Sequence, residues 1–264
     1  AREAARKARE NARNKTEKKD KPLKFDTKLA DASEKKRRDL CELYVTEGDS
    51  ASGNLKDARD NRYQAVMPIR GKMLNCQDTS PDKILKNAEI STMDALFGTS
   101  GWWTDGKKID YDITKIRYGK VIIMSDADVD GAHIKNLFYT FIWNICPQLL
   151  MNGYIYAGRA PLYKITEKNG KSYTYLQNDV ELKEYQNKHR GENYEVGRLK
   201  GLGEMSVEET EECLTDTQKR VIDKIGVQDT VKANKVFTEM MGSSAIYRKQ
   251  FLKTYGKEAM YNAE

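Results

Sequence analysis

The hydrophobic positions of this chain come in short runs separated by polar turns. Val121, Ile122, Ile123 and Met124 are apolar in succession and β-branched at three of the four places. That pattern suits a strand buried on both faces of a parallel sheet. Leu40 to Thr46, Tyr63 to Pro68 and Tyr154 to Ala157 read as three further strands. Ile134, Leu137, Phe138, Phe141, Ile142, Ile145 and Leu149 recur at helical spacing, predicting an amphipathic helix packed on the sheet and bent near Pro147. Ser80-Pro81 opens another helix, a capping residue followed by Pro at the first position. Gly98 to Tyr118 reads as a long loop. The order β-α-β…β-α-β predicts an α/β fold, a small doubly wound parallel sheet with helices on both faces.

The pattern changes after Arg159. Leu162 to Ile165 and Ser172 to Leu176 flank Asn169-Gly170, which signals a hairpin. Asp179 to Lys188 is a charged helix ended by Gly191. Lys200 to Met205 forms a tight turn into a helix whose Ser206 and Glu209 make a capping box. The remainder reads as helical and charged. At the other end, residues 1–20 form a solvated helix broken by Pro22, and residues 21–38 a charged linker. The expected organisation is a basic helix and linker (1–38), an α/β domain (39–158) and a mostly helical C-terminal subdomain with a hairpin (159–264).

The strand at 121–124 runs into Asp126, Asp128 and Asp130, closed by Gly131. Three carboxylates this close repel one another unless positive charge sits between them. Hard oxygen ligands on a short turning backbone suit Mg²⁺ or Ca²⁺. An EF-hand is the rival. Counted from Asp126 its acidic places and Gly131 fit, but the twelfth residue is Leu137 rather than Glu, and a strand precedes the loop instead of a helix.

Leu40 to Thr46 stops at Glu47-Gly48-Asp49-Ser50, where Gly48 permits a sharp turn and Asp49 or Ser50 is placed to cap the next helix. Ligands in open α/β sheets sit at the carboxyl ends of strands, and both acidic stretches occupy such ends. If those strands are neighbours, Glu47 faces Asp126 and Asp128 across a gap that a divalent ion fills. Arg70-Gly71-Lys72 and Asn75 place cations and an amide on a nearby turn, as a phosphate-bearing substrate requires.

Composition refines this picture. The net charge is +6, yet residues 1–38 carry 15 Lys/Arg against 7 Asp/Glu, so the other 226 residues sum to −2. Any polyanion must therefore be held by local patches. Cys41, Cys76, Cys146 and Cys213 are widely spaced and only two His are present, which argues against zinc and for reduced thiols in a cytoplasmic protein. Lys135, Asn136, Asn144, Pro147 and Gln148 interrupt the most apolar stretch, so no membrane span is expected.

Glu47-Gly48-Asp49-Ser50-Ala51, Pro68-Ile69-Arg70-Gly71-Lys72, Asp126 to Gly131 and Lys200-Gly201-Leu202-Gly203-Glu204-Met205 stand in the order found in type IIA DNA topoisomerases. From about Leu40 onward the chain resembles the Toprim (Rossmann-like) and C-terminal region of their bacterial B-type subunit. Residues 1–38 resemble the exit from an upstream ATPase and transducer region, and the start at Ala1 agrees with a piece of a longer protein. Thr46, Ser52 and Ser125 depart from the commoner residues, and none is a metal ligand in the family.

The resemblance implies a Mg²⁺ site for DNA cleavage and religation. Glu47 and Asp126 would hold the catalytic ion, Asp126 and Asp128 a second, with Asp130 in support. Glu47 is also the implied general acid or base for the leaving 3′-oxygen. Lys72, Asn75 and Arg70 match DNA-contacting positions, and Asp49 and Arg70 border the region where quinolone-type drugs bind. The nucleophile would be a Tyr on a partner A-type subunit in a heterotetramer, and ATP would bind only the full-length protein. A stand-alone Toprim nuclease and a non-enzymatic Ca²⁺-binding module are the other function classes considered.

Overall fold

The computed structural model describes residues 28–98, 103–104, 107–108, 112–167, 173–199 and 201–261. Its strands are β1 (Glu42–Glu47), β2 (Gln64–Ile69), the two-residue β3 (Trp103–Thr104) and β4 (Lys107–Lys108), β5 (Lys120–Met124), β6 (Ile155–Arg159), β7 (Tyr163–Glu167), β8 (Tyr173–Leu176), β9 (Tyr194–Arg198) and β10 (Val221–Ile225). The main sheet has the order β10-β6-β5-β1-β2. β2, β1, β5 and β6 are parallel neighbours, and β10 adds antiparallel to β6. The four strands expected from the apolar runs are these four, each within two residues of its expected start.

Both faces of the sheet are covered, which is why these strands read as continuous apolar runs instead of alternating ones. Leu43, Val45, Val121 and Ile123 pack with Met93 and Phe97 of the helix Ala88–Phe97 and with Phe138 and Phe141 of the helix Val129–Ile145. Phe97 stacks on Phe141 with ring centroids 6.1 Å apart. Tyr44, Val66, Ile122 and Met124 belong to a second cluster with Ala51 and Leu55 of the helix Gly48–Ala58. Leu202, Met205 and Leu214 complete that cluster, so the C-terminal part of the chain supplies part of the cover of one sheet face.

Several expectations need correction. The amphipathic helix does not bend at Pro147. It ends at Ile145, and Pro147 stands at the N-cap of a separate short helix, Gln148–Met151, because its ring cannot continue the preceding hydrogen-bond ladder. Glu47, rather than Asp49 or Ser50, takes the N-cap position of Gly48–Ala58. Ser80 occupies the N-cap of Pro81–Lys86 but its side chain makes no capping bond. The 98–118 stretch contains β3, β4 and a 3₁₀ turn at Ile113–Lys115. The C-terminal part is less uniformly helical than expected, since it also contains β9 and β10.

Residues 28–38 are likewise docked. Ala30 bridges Val66 of β2, and Asp31 holds Arg38, Arg117 and the Tyr118 hydroxyl. The capping box at Ser206 and Glu209 is present, and Asp179–Lys188 is helical as expected. β7 pairs antiparallel with β8, while the Asn169-Gly170 turn, Lys200 and the helix expected at residues 1–20 lie outside the described residues.

Candidate functional site

The chain order β1-β2 runs one way across the sheet, and β5 lies on the other side of β1. The crevice at the carboxyl ends of β1 and β5 is therefore the point where the topology reverses, the usual ligand position in such sheets. Thr46 pairs with Met124 in register. Glu47 thus leaves β1 beside the turn that carries Asp126 away from β5.

Glu47 is followed by Gly48 at φ +75°, a conformation in which any side chain would be strained. That turn redirects the backbone from strand to helix. The Glu47 carboxylate does not cap the helix, and its Oε2 atom is buried without a hydrogen-bond partner among the described residues. Burial pushes its carboxyl above the usual range, and the charges of Asp126, Asp128 and Asp130 add to the effect, opposed by Lys72.

The three Asp side chains are each tied to the protein. Asp126 Oδ1 accepts the Leu202 backbone N–H at 2.9 Å. Asp128 caps the helix Val129–Ile145 by accepting the Gly131 N–H at 2.7 Å. Asp130 pairs with Lys72 at 2.7 Å, and that hydrogen bond and charge hold its carboxyl below the usual range. Gly131 lets this turn close tightly, since a Cβ there would lie 2.1 Å from the Asp126 carbonyl oxygen. Ser125 Oγ donates to the Gly131 carbonyl at 3.0 Å and locks the same turn.

As these side chains stand, no three His, Cys, Asp or Glu groups among the described residues converge closely enough to hold a metal ion. The donor chemistry nonetheless fits a hard divalent cation. Glu47, Asp126, Asp128 and Asp130 are all carboxylates gathered at one sheet edge, and a buried anionic oxygen without a partner is costly unless a cation meets it.

The other expected site residues scatter around this edge. Lys72 borders the carboxylates through Asp130. Arg70 is exposed, and its main-chain N–H donates to Glu89 at 2.5 Å. Asn75 is half-buried, its amide donating to the Met241 carbonyl at 2.7 Å and accepting from Gln77 N–H at 3.0 Å. Its side chain thereby ties the turn to the helix Thr230–Met241. Asp49 is exposed and pairs both oxygens with Lys28 at 2.6 Å. The sequence reading missed the Leu202 N–H and Asn54, whose amide meets the 202–205 turn. A main-chain donor has no residue signature; the Gly-Leu-Gly spacing was the one available sign of that turn.

Residues 42–157 match the family model described as Toprim domain, and residues 191–253 match that described as DNA gyrase B subunit, carboxyl terminus. The DNA gyrase B subunit of Thermus thermophilus is 40% identical over 262 residues, 98% of this chain and 40% of that protein. The Thermotoga maritima protein of the same name is 41% identical over 255 residues, 97% of this chain and 38% of that protein. That of Staphylococcus aureus is 40% identical over 254 residues, 96% and 38% of the respective chains. The chain thus spans about 40% of the length of these curated relatives. With a Toprim match over β1 to β6, a gyrase B match behind it and relatives aligned along nearly all of its length, the chain belongs to the Toprim and C-terminal region of the bacterial type IIA topoisomerase B-type subunit family.

Proposed function

We propose that this chain supplies the Mg²⁺-binding half of a DNA cleavage and religation site. A Tyr-bearing A-type subunit completes the site, in a heterotetramer that passes DNA through a transient double-strand break. The observation that carries the reading is the buried, unpartnered Glu47 oxygen beside three Asp residues at the switch point of the sheet. Glu47 and Asp126 would hold the catalytic ion and Asp126 and Asp128 a second, with Asp130 in support. Mg²⁺ bound there supplies positive charge for the phosphoryl transition state.

In this reading Glu47 is also the general acid or base, giving a proton to a leaving 3′-oxygen and taking one back on religation. Lys72 and Arg70 offer exposed cations to the DNA phosphates, with Asn75 on the turn that follows them. Asp49 and Arg70 border the expected drug region. ATP belongs to the full-length protein. The names of the relatives favour gyrase over topoisomerase IV. The same reading puts the chain in the cytoplasm, and among the described residues no helix is long and apolar enough to cross a membrane.

The test is to mix the chain with its A-type subunit, DNA, Mg²⁺ and a cleavage-stabilising drug. DNA should be trapped covalently on the partner and not on this chain, because conserving bond energy requires a covalent nucleophile. A DNA adduct on a Tyr of this chain, or nicking without the partner, would revive the stand-alone nuclease. Supercoiling against decatenation by the full-length protein then separates gyrase from topoisomerase IV.

A further inference from the structure

We infer that Asn54 is a positioning residue for the acidic site, acting through the turn at 201–205. Asn54 lies on the helix that follows Glu47, nearly two turns along. Its Nδ2 donates to the Met205 carbonyl at 2.8 Å and lies 3.3 and 3.4 Å from the Gly203 and Leu202 carbonyls. The turn it holds returns the Leu202 N–H to Asp126 Oδ1 at 2.9 Å. Glu47 and Asp126 are thus joined twice, once through the paired strands β1 and β5 and once through helix, amide and turn.

Leu202 and Met205 are buried in the core and keep the turn attached to the sheet. Apolar contacts of that kind are non-directional, and they do not fix which way a peptide plane faces. An amide facing three carbonyls does, since it turns the Leu202, Gly203 and Met205 C=O groups toward the helix and so fixes the turn that begins at the Leu202 N–H given to Asp126. The contact has no evident use in catalysis of its own. Groups that orient metal ligands nevertheless alter metal affinity by roughly 10–100-fold when removed.

This inference rests on the metal reading above, and its test separates the two. Mn²⁺ affinity is measured on the chain by EPR or calorimetry for wild type, Asn54→Leu, Asn54→Gln and Asp126→Asn, with amide exchange at Leu202. Asn54→Leu keeps the branching of the side chain and removes the donor, and should weaken Mn²⁺ by about tenfold while the circular dichroism of the metal-free chain stays that of wild type. Leu202 N–H exchange should quicken in the same variant. Asn54→Gln, which keeps a donor, should recover part of both losses. Should Asn54→Leu unfold the chain, Asn54→Gln against wild type carries the comparison at Leu202. Mn²⁺ affinity and Leu202 protection unchanged in a folded Asn54→Leu overturn the role of Asn54 and leave the metal site standing. Wild type binding Mn²⁺ no better than Asp126→Asn overturns the metal reading and the inference with it.

Discussion

Arg220 grips Glu42 with both terminal nitrogens, each 2.6 Å from a different carboxylate oxygen, although the two residues are 178 positions apart. Glu42 opens β1 and Arg220 precedes β10, so the pair fastens the C-terminal part of the chain to an inner strand of the sheet. The Arg220 side chain is 4% exposed and that of Glu42 6%. Lys120 reaches Glu42 at 2.9 Å, and Arg220 also meets the Tyr44 hydroxyl. A pair this buried has given up its hydration, so its main consequence appears when one partner is removed.

Arg220→Met should accordingly destabilise the protein by about 3 kcal/mol, near the low end for a broken buried pair because Lys120 still faces Glu42. The double variant Glu42→Met/Arg220→Met should lose less than the single one, since no unpaired charge remains. Urea unfolding of the four proteins in the cycle measures both numbers. A cost near zero for Arg220→Met would mean that the pair does not hold the C-terminal part in place.

The same pair fixes the sign of an acid response. Burial alone would raise the Glu42 carboxyl, but hydrogen bonds and charge from Arg220 and Lys120 outweigh it and set it below its ordinary 4.5. The folded state then binds this proton less readily than the unfolded chain. Glu42 therefore stabilises the fold above the unfolded value, and the contribution fades as pH falls through the depressed folded value. Melting temperature followed from pH 7 downward should drop across that window in wild type. Glu42→Gln should start lower and fall less steeply there. Parallel curves for the two proteins would remove Glu42 from the account.

How much was legible beforehand follows from where the chemistry lies. Val121 to Met124 announced a doubly buried strand because burial on both faces demands an unbroken apolar run. Asp126, Asp128 and Asp130 announced themselves because so many carboxylates at a strand end need a counter-charge. β10 did not, since an edge strand with half-buried Ile222, Asp223 and Ile225 carries little of that pattern. β9, almost wholly exposed, carries less. Glu42, Arg220 and Asn54 are single polar residues whose partners lie far along the chain, and no local spacing reveals a long-range bond. The N-cap position at Glu47 was misassigned to its neighbours because Gly48 itself begins the helix, two residues earlier than a cap at Asp49 implies.

Asp126→Asn separates folding from function at the site. The Asn oxygen can still accept the Leu202 N–H, so the turn at 201–205 should stay in place. Removing one negative charge also eases the repulsion that pushes the Glu47 carboxyl upward. The metal-free variant should therefore melt at or slightly above the wild-type temperature. Mg²⁺-dependent DNA cleavage in the reconstituted enzyme should be lost, because a neutral amide is a much weaker ligand for Mg²⁺. Cleavage at the wild-type rate under limiting Mg²⁺ would take Asp126 out of the metal site.

Lys72 gives a prediction in two opposite directions. Its ammonium sits 2.7 Å from Asp130, with the two side chains 51% and 68% exposed. Ion pairs this open to water contribute little, so a DNA phosphate can draw Lys72 away from Asp130 at small cost. Lys72→Ala should then weaken DNA binding on all sequences alike. It should also flatten the dependence of log affinity on log salt by about one unit, the signature of one lost phosphate contact. Asp130→Asn should act the other way, since it frees Lys72 and removes a negative charge from the same edge. Affinity of that variant, measured without divalent metal to keep the acidic site out of the comparison, should equal or exceed that of wild type. Neither variant should shift the melting temperature much. A salt slope unchanged in Lys72→Ala would assign Lys72 to Asp130 alone and move the phosphate contact to Arg70.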